Sequence, residues 1–400
     1  MAFFTNHTNK HGALRLDDFV LDGAVNIPAQ PWLEILRLYS STEIRCELSR
    51  VHEAHNLESP IDSMLGGLAA GYSDFQALQA MDGRKLVKNI FIDGAEYAPR
   101  HPYEYPPSDW YISLQRVGLK SSDFFHRRNR MRAGHVSYPS PADVWAEISR
   151  RVRIFKPIVE FPLSPVTRET FMRALAVRSY VASQFRPSTA KALYELFKAR
   201  DVLDPSSGWG DRFAGFSAAN TTESYVSTDP NLNLHEGYWQ QGRVYRTGKA
   251  YDFMPVPFED ADLGGKTFDF IFTSPPYFHT ELYSEHAGQS SSRYAALEAW
   301  LELFLFRVMD KCCAALRPGG IMAINIADLN TALNTGLSVC DAMNDYVSGV
   351  RGMRYMGSVG MQIARRPSNK AKQARVVEPI WVWQKNGTTT IDELVRSYKA

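Results

Sequence analysis

The sequence predicts an α/β fold, with a doubly wound, mostly parallel sheet that follows a mainly α-helical or irregular N-terminal domain. From about residue 200 onwards, short apolar runs alternate with helical stretches, and this alternation indicates right-handed βαβ units. Earlier in the chain the alternation is missing, and three prolines punctuate the segment 156–166. We therefore expect an N-terminal domain over 1–160, the sheet domain over 161–386 and a C-terminal tail over 387–400.

Composition and charge exclude several classes of protein. The 22% of charged residues is ordinary for a globular chain, and a net charge of +2 does not by itself indicate a polyanionic partner. The four cysteines form no CxxC pair, so neither a disulfide framework nor a zinc site is expected. No signal-peptide pattern is present, and no stretch is apolar over the roughly 18 residues that a membrane span needs. We expect an intracellular, cytoplasmic protein without membrane association.

Five apolar runs predict the strands of the parallel part of the sheet, and they are DVLDP (201–205), YVSTDP (225–230), a weak strand over 243–250, FDFIFTSP (268–275) and IMAINIA (321–327). Residues 293–316 predict one long amphipathic helix, which Arg-Pro-Gly-Gly at 317–320 ends. Two further runs, 353–364 and 376–385, predict a hairpin that closes one edge of the sheet.

The first predicted strand leads into the glycine-containing loop DPSSGWGDR (204–212). Glycines at this turn allow a ligand to approach the backbone closely, beyond the carboxyl ends of the strands. The loop is not a dinucleotide fingerprint, because Phe213 stands where the third glycine would fall, and it lacks the Gly-Lys-Ser/Thr of a P-loop. Asp204 and Asp211 would repel phosphates. The loop therefore favours a cationic or neutral ligand.

Two carboxylates follow the next strands. Asp229 comes about twenty residues after the glycines, the spacing at which a carboxylate accepts hydrogen bonds from ribose hydroxyls. Asp252 follows the weak third strand and could reach an adenine amino group. Lone aspartates are also common as helix caps and turn formers, which is the alternative interpretation. Their repetition at successive strand ends favours a nucleoside ligand.

The fourth predicted strand ends in Ser274-Pro-Pro-Tyr277, a stiff corner because proline cannot continue a sheet ladder. If the ligand carries a sulfonium methyl group, the Ser274 hydroxyl and the Pro275 carbonyl could accept the protons of an exocyclic base amine. Pro276 has no N–H to compete for that carbonyl. Such acceptors would stabilise the charge that develops on nitrogen, while Tyr277 stacks on the base.

Together, DPSSGWGDR and TSPPY resemble the motifs of amino-methyltransferases that act on DNA bases with S-adenosylmethionine, and the likeness covers residues from about 165 to 385. The resemblance implies a seven-stranded, Rossmann-like methyltransferase sheet whose last strand is antiparallel. The donor-binding residues that the resemblance implies are Phe185, Asp204, Ser206, Gly208, Gly210, Asp229 and Asp252. The catalytic residues that it implies are Ser274, Pro275, Pro276 and Tyr277. Trp209, Asp211 and Arg212 depart from the small residues of the commonest version, which bears on the shape of the methionine pocket.

The resemblance links a serine in the first position of the tetrapeptide more often with cytosine N4, so cytosine N4 is the expected target and adenine N6 the alternative. An RNA amino-methyltransferase would use the same corner, and a non-catalytic nucleic-acid-binding protein on this scaffold is a third hypothesis. A cognate nuclease, as in restriction–modification, is a possible further partner. The oligomeric state is not predicted.

Two basic clusters are candidate nucleic-acid contacts, since basic side chains neutralise phosphates. A solvated charged surface is the alternative for both. The first cluster comprises Arg127, Arg128, Arg130 and Arg132, and the second Arg365, Arg366, Lys370 and Lys372. No metal site is expected, because the pair His52 and His55 lacks the HExxH spacing.

Overall fold

The computed structural model describes residues 12–57, 61, 67–97, 103–135, 137–160, 165–278, 281–284, 287–328, 336–364 and 375–400. Its contacts divide the chain into two units. The helical unit comprises Met1–Gly67, Arg127–Ser183 and Glu281–Tyr283, and the sheet unit comprises Leu68–His126, Gln184–Thr280 and Ser284–Ala400. The division therefore differs from the expected boundary near residue 160, because three short strands from the first half of the chain join the large sheet.

The strands, in chain order, are β1 Val20–Leu21, β2 Ala24–Val25, β3 Val87–Asn89, β4 Ala95–Tyr97, β5 Trp110–Ile112, β6 Gly134–His135, β7 Asp201–Asp204, β8 Ser224–Thr228, β9 Ala250–Met254, β10 Phe268–Thr273, β11 Glu281–Leu282, β12 Leu316–Asn325, β13 Met353–Gln362 and β14 Arg375–Lys385. The pairs β1–β2 and β6–β11 are small antiparallel ribbons. All the other strands belong to one sheet in the sheet unit.

The helices are α1 Ala29–Leu38, α2 Ser41–Ala54, α3 Gly67–Ala80, α4 Ile90–Asp93, α5 Leu119–Arg130, α6 Pro141–Ala146, α7 Ile148–Ile154, α8 Lys156–Glu160, α9 Arg168–Arg178, α10 Pro187–Leu196, α11 Asp211–Ala218, α12 Leu232–Tyr245, α13 Ser290–Arg293, α14 Leu297–Trp300, α15 Phe306–Ala315, α16 Val339–Gly349 and α17 Ile391–Lys399. In the described part of the chain, none of them combines the length and apolarity that crossing a membrane requires.

The predicted long helix over 293–316 is interrupted. Residues 294–296 separate α13 from α14, and a π-helical turn, Leu301–Leu305, joins α14 to α15. Trp300 and Leu305 are fully buried at this turn and belong to the main apolar cluster of the sheet unit. The wider turn changes which side chains face the core, so a regular 3.6-residue pattern could not predict it.

The helical unit has its own core, which confirms the mainly helical character expected for the N-terminal part. Trp32, Phe155 and Phe171 are among the buried side chains of that core. His52 lies in it as well, with its ring 4.9 Å from that of Phe171, and burial lowers the pKa of this imidazole. His52 is therefore a core residue of this unit.

The large sheet has the strand order β3-β5-β13-β14-β12-β10-β7-β8-β9, with β4 paired to β14 off this path. The run from β12 to β9 is parallel throughout, whereas β14 is antiparallel to both β12 and β13. The doubly wound, mostly parallel, seven-stranded arrangement with a reversed last strand is confirmed by β7 to β10 and β12 to β14. The strands β3, β4 and β5 extend the sheet beyond these seven.

The hairpin formed by β13 and β14 does not close the sheet, contrary to expectation. Gly360 and Met361 of β13 pair with Tyr111 and Ile112 of β5, and β3 pairs with the far side of β5. The two added strands have three residues each, which is too short for a periodic signal in the sequence.

Helices cover both faces of the sheet, as alternate side chains of β10 demonstrate. Phe270 and Phe272 contact the ring of Tyr194 in α10, at centroid distances of 5.7 and 5.9 Å. Ile271 points the other way and packs in the cluster that contains Trp300 and Met309. The strand order changes direction between β7 and β10, so this sheet has its topological switch point there.

Candidate functional site

The loop that follows β7 is fastened to the end of the neighbouring strand β8. The backbone N–H of Ser207 donates to the Thr228 carbonyl over 2.9 Å, and the N–H of Gly208 donates to Oδ2 of Asp229 over 3.1 Å. In return, the Thr228 hydroxyl donates to the Pro205 carbonyl over 2.8 Å. The loop is thus held at the carboxyl edge of the sheet, where ligands of such folds bind.

The two glycines of the loop have different reasons to be glycine. Both lie in the left-handed region, with φ of 59° at Gly208 and 70° at Gly210. A Cβ on Gly210 would lie 2.3 Å from Oε1 of Gln241 and 2.8 Å from Nε2 of His126, so packing forbids it. A Cβ on Gly208 would meet nothing closer than 3.8 Å. Gly208 is half-buried, and a side chain there would make only ordinary contacts, so packing does not require glycine at this position.

Asp204 is not available to a ligand. Its carboxylate is fully buried and accepts hydrogen bonds from the backbone N–H of Ser206, the hydroxyl of Tyr225, and Nε and Nη2 of Arg212. A carboxylate has about four lone-pair sites, so these four donors leave no capacity for a ligand. The predicted contact between Asp204 and a bound donor is corrected to a positioning role: Asp204 shapes the loop.

Arg212 is the partner that neutralises Asp204. Its Nε lies 2.8 Å from Oδ2 of Asp204, and the ion pair holds the pKa of the guanidinium above its usual value in spite of burial. The guanidinium carbon lies 5.7 Å from the ring centroid of Phe185. The Phe185 ring in turn lies 5.4 Å from that of Phe272 in β10. Phe185, predicted to line the methionine end of a donor, therefore lies between Arg212 of the glycine loop and Phe272 of β10, the strand that leads to Ser274.

Asp229 lies at the carboxyl end of β8, as predicted. It accepts hydrogen bonds from the N–H groups of Gly208 and Asn231 and from the hydroxyl of Tyr238. Burial raises the pKa of this carboxyl to about 6, although the backbone donors oppose the shift. Three donors leave roughly one of its lone-pair sites available to a further hydroxyl group.

Asp252 is not where the sequence placed it. It lies inside β9 rather than beyond its end, in register with Val226 of β8, and its side chain is 51% exposed and paired with Lys266 over 3.4 Å. The last residue of β9, Met254, is in register with Thr228, and its carbonyl accepts a hydrogen bond from the N–H of Asp229. This placement does not support the predicted adenine contact of Asp252. The third strand ends at Met254, four residues beyond the predicted strand over 243–250, whose first three residues belong to α12 instead.

The Ser274 corner starts at nearly the same level of the sheet as the glycine loop. Ile271 of β10 pairs with Leu203 of β7. From this pair, β10 continues for two residues to Thr273, and β7 continues for one residue to Asp204. Ser274 is half-buried, and within the described part of the chain no side-chain hydrogen bond engages its hydroxyl. Alternation puts Ser274 on the same sheet face as Phe272, the residue in contact with Phe185. The Ser274 corner and the glycine loop thus follow neighbouring strands at the same edge of the sheet, and Phe185 contacts both Phe272 of β10 and Arg212.

Beyond Pro276, two aromatic residues differ in conformation. Tyr277 packs half-buried against the main cluster, and its hydroxyl donates weakly to the Asn325 carbonyl over 3.4 Å. Phe278 has a φ of 41°, a left-handed conformation that is strained for a bulky residue, and its ring lies 5.7 Å from that of Trp300. Strain of this kind concentrates at functional corners. Sequence analysis did not single out Phe278, since no local pattern predicts a left-handed aromatic residue.

The basic clusters are only partly available to a nucleic acid. Arg128 and Arg132 are exposed, whereas Arg127 and Arg130 are 8% and 7% exposed, and Nη1 of Arg130 donates to the Ala182 carbonyl. Arg127 and Arg130 are therefore corrected from phosphate contacts to buried structural residues, because α5 turns them inward. Arg365, Arg366, Lys370 and Lys372 lie outside the described residues.

A polar network behind the glycine loop was missed by sequence analysis. The side-chain N–H₂ of Gln241 donates to the Gly210 carbonyl over 2.9 Å and to the Tyr245 hydroxyl. His126 lies 3.3 Å from Oε1 of Gln241, and burial lowers the pKa of its imidazole to about 4. These residues come from α5 and α12, far apart in the chain, and nothing local predicts their meeting. In the described ranges, no group of three or more His, Cys, Asp or Glu could hold a metal ion.

No family model matches this sequence, and no curated protein matches it. Several solved methyltransferases share part of its architecture. A methyltransferase from Pyrococcus furiosus is 15% identical over 50% of this chain and 84% of its own, with a TM-score of 0.32. An rRNA methylase from Streptococcus thermophilus is 15% identical over 52% of this chain and 100% of its own, at 0.33. The N-methyltransferase NodS from Bradyrhizobium japonicum, solved with S-adenosyl-L-homocysteine, is 10% identical over 49% and 84%, at 0.32. The fold class rests on the strand order and pairing of the sheet.

Proposed function

We propose that this chain transfers a methyl group from S-adenosylmethionine to an exocyclic amino group of a DNA base, with cytosine N4 as the preferred target. The observation that carries the proposal is that Ser274 directly follows β10, the strand paired with β7, which leads into the glycine loop across the switch point of the sheet. A ligand in the switch-point crevice would contact both loops.

The residues at this edge fit such a donor. Gly208 leaves an opening that a side chain would fill, and Asp229 retains capacity for a ribose hydroxyl. Phe185 would line the end opposite the nucleoside, beside the Ser206 segment. When bound, S-adenosylmethionine supplies an electrophilic methyl group attached to a positively charged sulfur.

The corner supplies the activation of the amine. The lone pair of an exocyclic base amine is delocalised into the ring, so the nitrogen is a poor nucleophile until it becomes pyramidal. The Ser274 hydroxyl oxygen and the Pro275 carbonyl would accept the two amino protons and stabilise the positive charge that develops on nitrogen. Because Pro276 lacks an N–H and both rings restrict the backbone, these acceptors are held in place before the base arrives.

Access to a base inside a duplex requires base flipping, and Tyr277 would contact the extruded base. Its ring is anchored by the main apolar cluster and by the bond to Asn325, so little side-chain freedom would be lost on stacking. The exposed Arg128 and Arg132 would contribute phosphate contacts.

The test is transfer of a labelled methyl group to duplex DNA, single-stranded DNA and RNA, followed by separation of the nucleosides. The expected product is N4-methylcytosine in DNA. N6-methyladenine in DNA would keep the reaction and change the base, and label in RNA alone would replace DNA as the substrate. A chain that binds S-adenosylmethionine in calorimetry yet methylates no nucleic acid would overturn the proposed substrate class, and one that does not bind it would overturn the enzyme.

A further inference from the structure

Arg212 occupies a place in the glycine loop where the family that this sequence resembles commonly has a small residue. It stands two positions after Gly210, at the second position of α11. Its side chain is only 5% exposed. Its Nε and Nη2 hold the two oxygens of Asp204, and Nη2 also donates to the Ser206 carbonyl. The N–H groups of Nε and Nη2 are thus all hydrogen-bonded to acceptors in the loop.

Nη1 is the remaining nitrogen of the guanidinium. Among the described residues, none accepts a hydrogen bond from Nη1 of Arg212. A guanidinium has five N–H donors in a fixed fork, and a nearly buried one normally has acceptors for them. Nη1 does not belong to the buried polar atoms without a partner, so it is accessible from outside the chain and available to an acceptor there.

The surroundings of Arg212 define where that acceptor would lie. The Cβ that Gly208 lacks would be 3.9 Å from Nη2, so the guanidinium borders the opening at Gly208. On its other side lies the ring of Phe185, 5.7 Å from the guanidinium carbon. Asp229, the expected ribose contact, is bonded to the N–H of Gly208 and so lies across the loop. Arg212 therefore lies beside both Gly208 and Phe185, the residue expected to line the methionine end of the donor.

We propose that Arg212 is a donor-binding residue whose Nη1 donates to the carboxylate of the methionine part of S-adenosylmethionine. The inference rests on the proposed function and deepens it. A carboxylate is a fitting acceptor for the N–H groups of Nη1, because a hydrogen bond between a guanidinium and a carboxylate is charge-assisted. Asp204 then has a second role, because it fixes the guanidinium so that little conformational entropy is lost when the ligand binds.

The experiment measures the binding of S-adenosylhomocysteine and of its decarboxylated analogue by isothermal titration calorimetry, so that it does not depend on turnover. The wild-type protein is expected to bind the decarboxylated analogue about 10- to 100-fold more weakly, the range for a hydrogen bond to a charged group. The variant Arg212→Lys retains a charge beside Asp204 but loses the fork. It should bind S-adenosylhomocysteine more weakly and should discriminate less than about threefold between the two ligands.

A matched control uses the other end of the same strand. Arg317 pairs with Asp201 at the start of β7, with Nη1 2.6 Å from Oδ2, and R317K should keep the full discrimination. If R212K unfolds, the double variant D204N/R212Q removes both buried charges together and is expected to show the same loss of discrimination.

The wild-type arm is decisive without any variant. Equal affinity of the wild-type protein for the two ligands would overturn the assignment of Arg212 while leaving donor binding intact. Unchanged discrimination in R212K or in the double variant would do the same. Failure of the wild-type protein to bind S-adenosylhomocysteine would instead overturn the proposed function and this assignment with it.

Discussion

The backbone N–H of Gly208 donates a hydrogen bond of 3.1 Å to Oδ2 of Asp229, and it joins the ends of two neighbouring strands. This bond links the conformation of the glycine loop to the ionisation of a carboxyl group whose pKa burial raises to about 6. The loop and the expected ribose contact are therefore parts of one unit.

Asp229 should make donor binding pH-dependent. The ionised carboxylate is the better acceptor for ribose hydroxyls, so we expect the affinity for S-adenosylhomocysteine to fall about tenfold as the pH is lowered from 7 to 5, around a midpoint near 6. Calorimetric titrations across this range measure it. Asp229→Asn should bind weakly at every pH and without the midpoint, and a wild-type affinity that stays flat would contradict the assignment.

The same carboxyl should affect folding with the opposite sign. Because its folded-state pKa lies above the usual value of 3.8, the folded protein holds the proton more tightly than the unfolded chain. The stability contributed by Asp229 is full below pH 3.8 and is lost as the pH rises through about 6, by an amount of about 2–3 kcal/mol. Urea unfolding of wild type and Asp229→Asn at several pH values would reveal this difference in slope.

The two loop glycines should separate stability from binding. Gly210→Ala combines left-handed strain with overlap on Gln241 and His126, so it should destabilise the protein by about 2–4 kcal/mol. Gly208→Ala meets no atom within 3.8 Å and should cost only about 1–2 kcal/mol while it blocks the opening. Urea unfolding and calorimetry with S-adenosylhomocysteine measure the two effects. Full binding by a folded Gly208→Ala protein would move the donor site elsewhere.

Ser274→Ala should lower kcat for methyl transfer about 100-fold and leave donor affinity unchanged, because one of the two acceptors at the amine is lost. The matched control is the adjacent residue. Thr273 is buried on the opposite face of β10, and its hydroxyl has no hydrogen-bond partner in the described part of the chain. Thr273→Val should retain activity and raise the unfolding free energy by about 1 kcal/mol. Similar losses of activity in both variants would remove Ser274 from the mechanism.

The left-handed backbone at Phe278 gives a prediction about stability. At most positions of regular structure, alanine is more favourable than glycine. With φ at 41°, Phe278→Gly should be more stable than Phe278→Ala by about 1 kcal/mol, since only glycine adopts this conformation without strain. Thermal or urea unfolding of the two variants decides the order, and the ordinary order would mean that the corner relaxes once the ring is removed.

The parts of the site that the sequence predicted are those with short-range signals. Gly208 and Ser274 each follow an apolar run and stand beside residues that end strands, so their positions at the sheet edge could be inferred locally. Asp252 could not be placed in this way, because its level depends on the pairing of Val226 with it, and register is a property of two strands.

Other features depend on contacts that no local pattern encodes. The pair formed by Asp204 and Arg212 looks in the sequence like two independent charges, and only the turn of the loop brings them together. The basic run of α5 does not reveal that Arg127 and Arg130 point inward. Burial of charged side chains is decided by the surrounding elements, so a charge run in a sequence does not show which of its residues are exposed.

The pairing of β5 with β13 determines at which stage of synthesis the large sheet can finish folding. The hydroxyl of Ser108, next to β5, donates to the carbonyl of Ser358, across 250 positions of sequence. On the ribosome, β5 therefore emerges long before β13 is synthesised. Its apolar residues Tyr111 and Ile112 lack their sheet partner for most of translation. A fragment that starts at residue 161 would have the reverse deficit, a bare β13 edge open to pairing with other chains, so it should aggregate where the full-length chain does not.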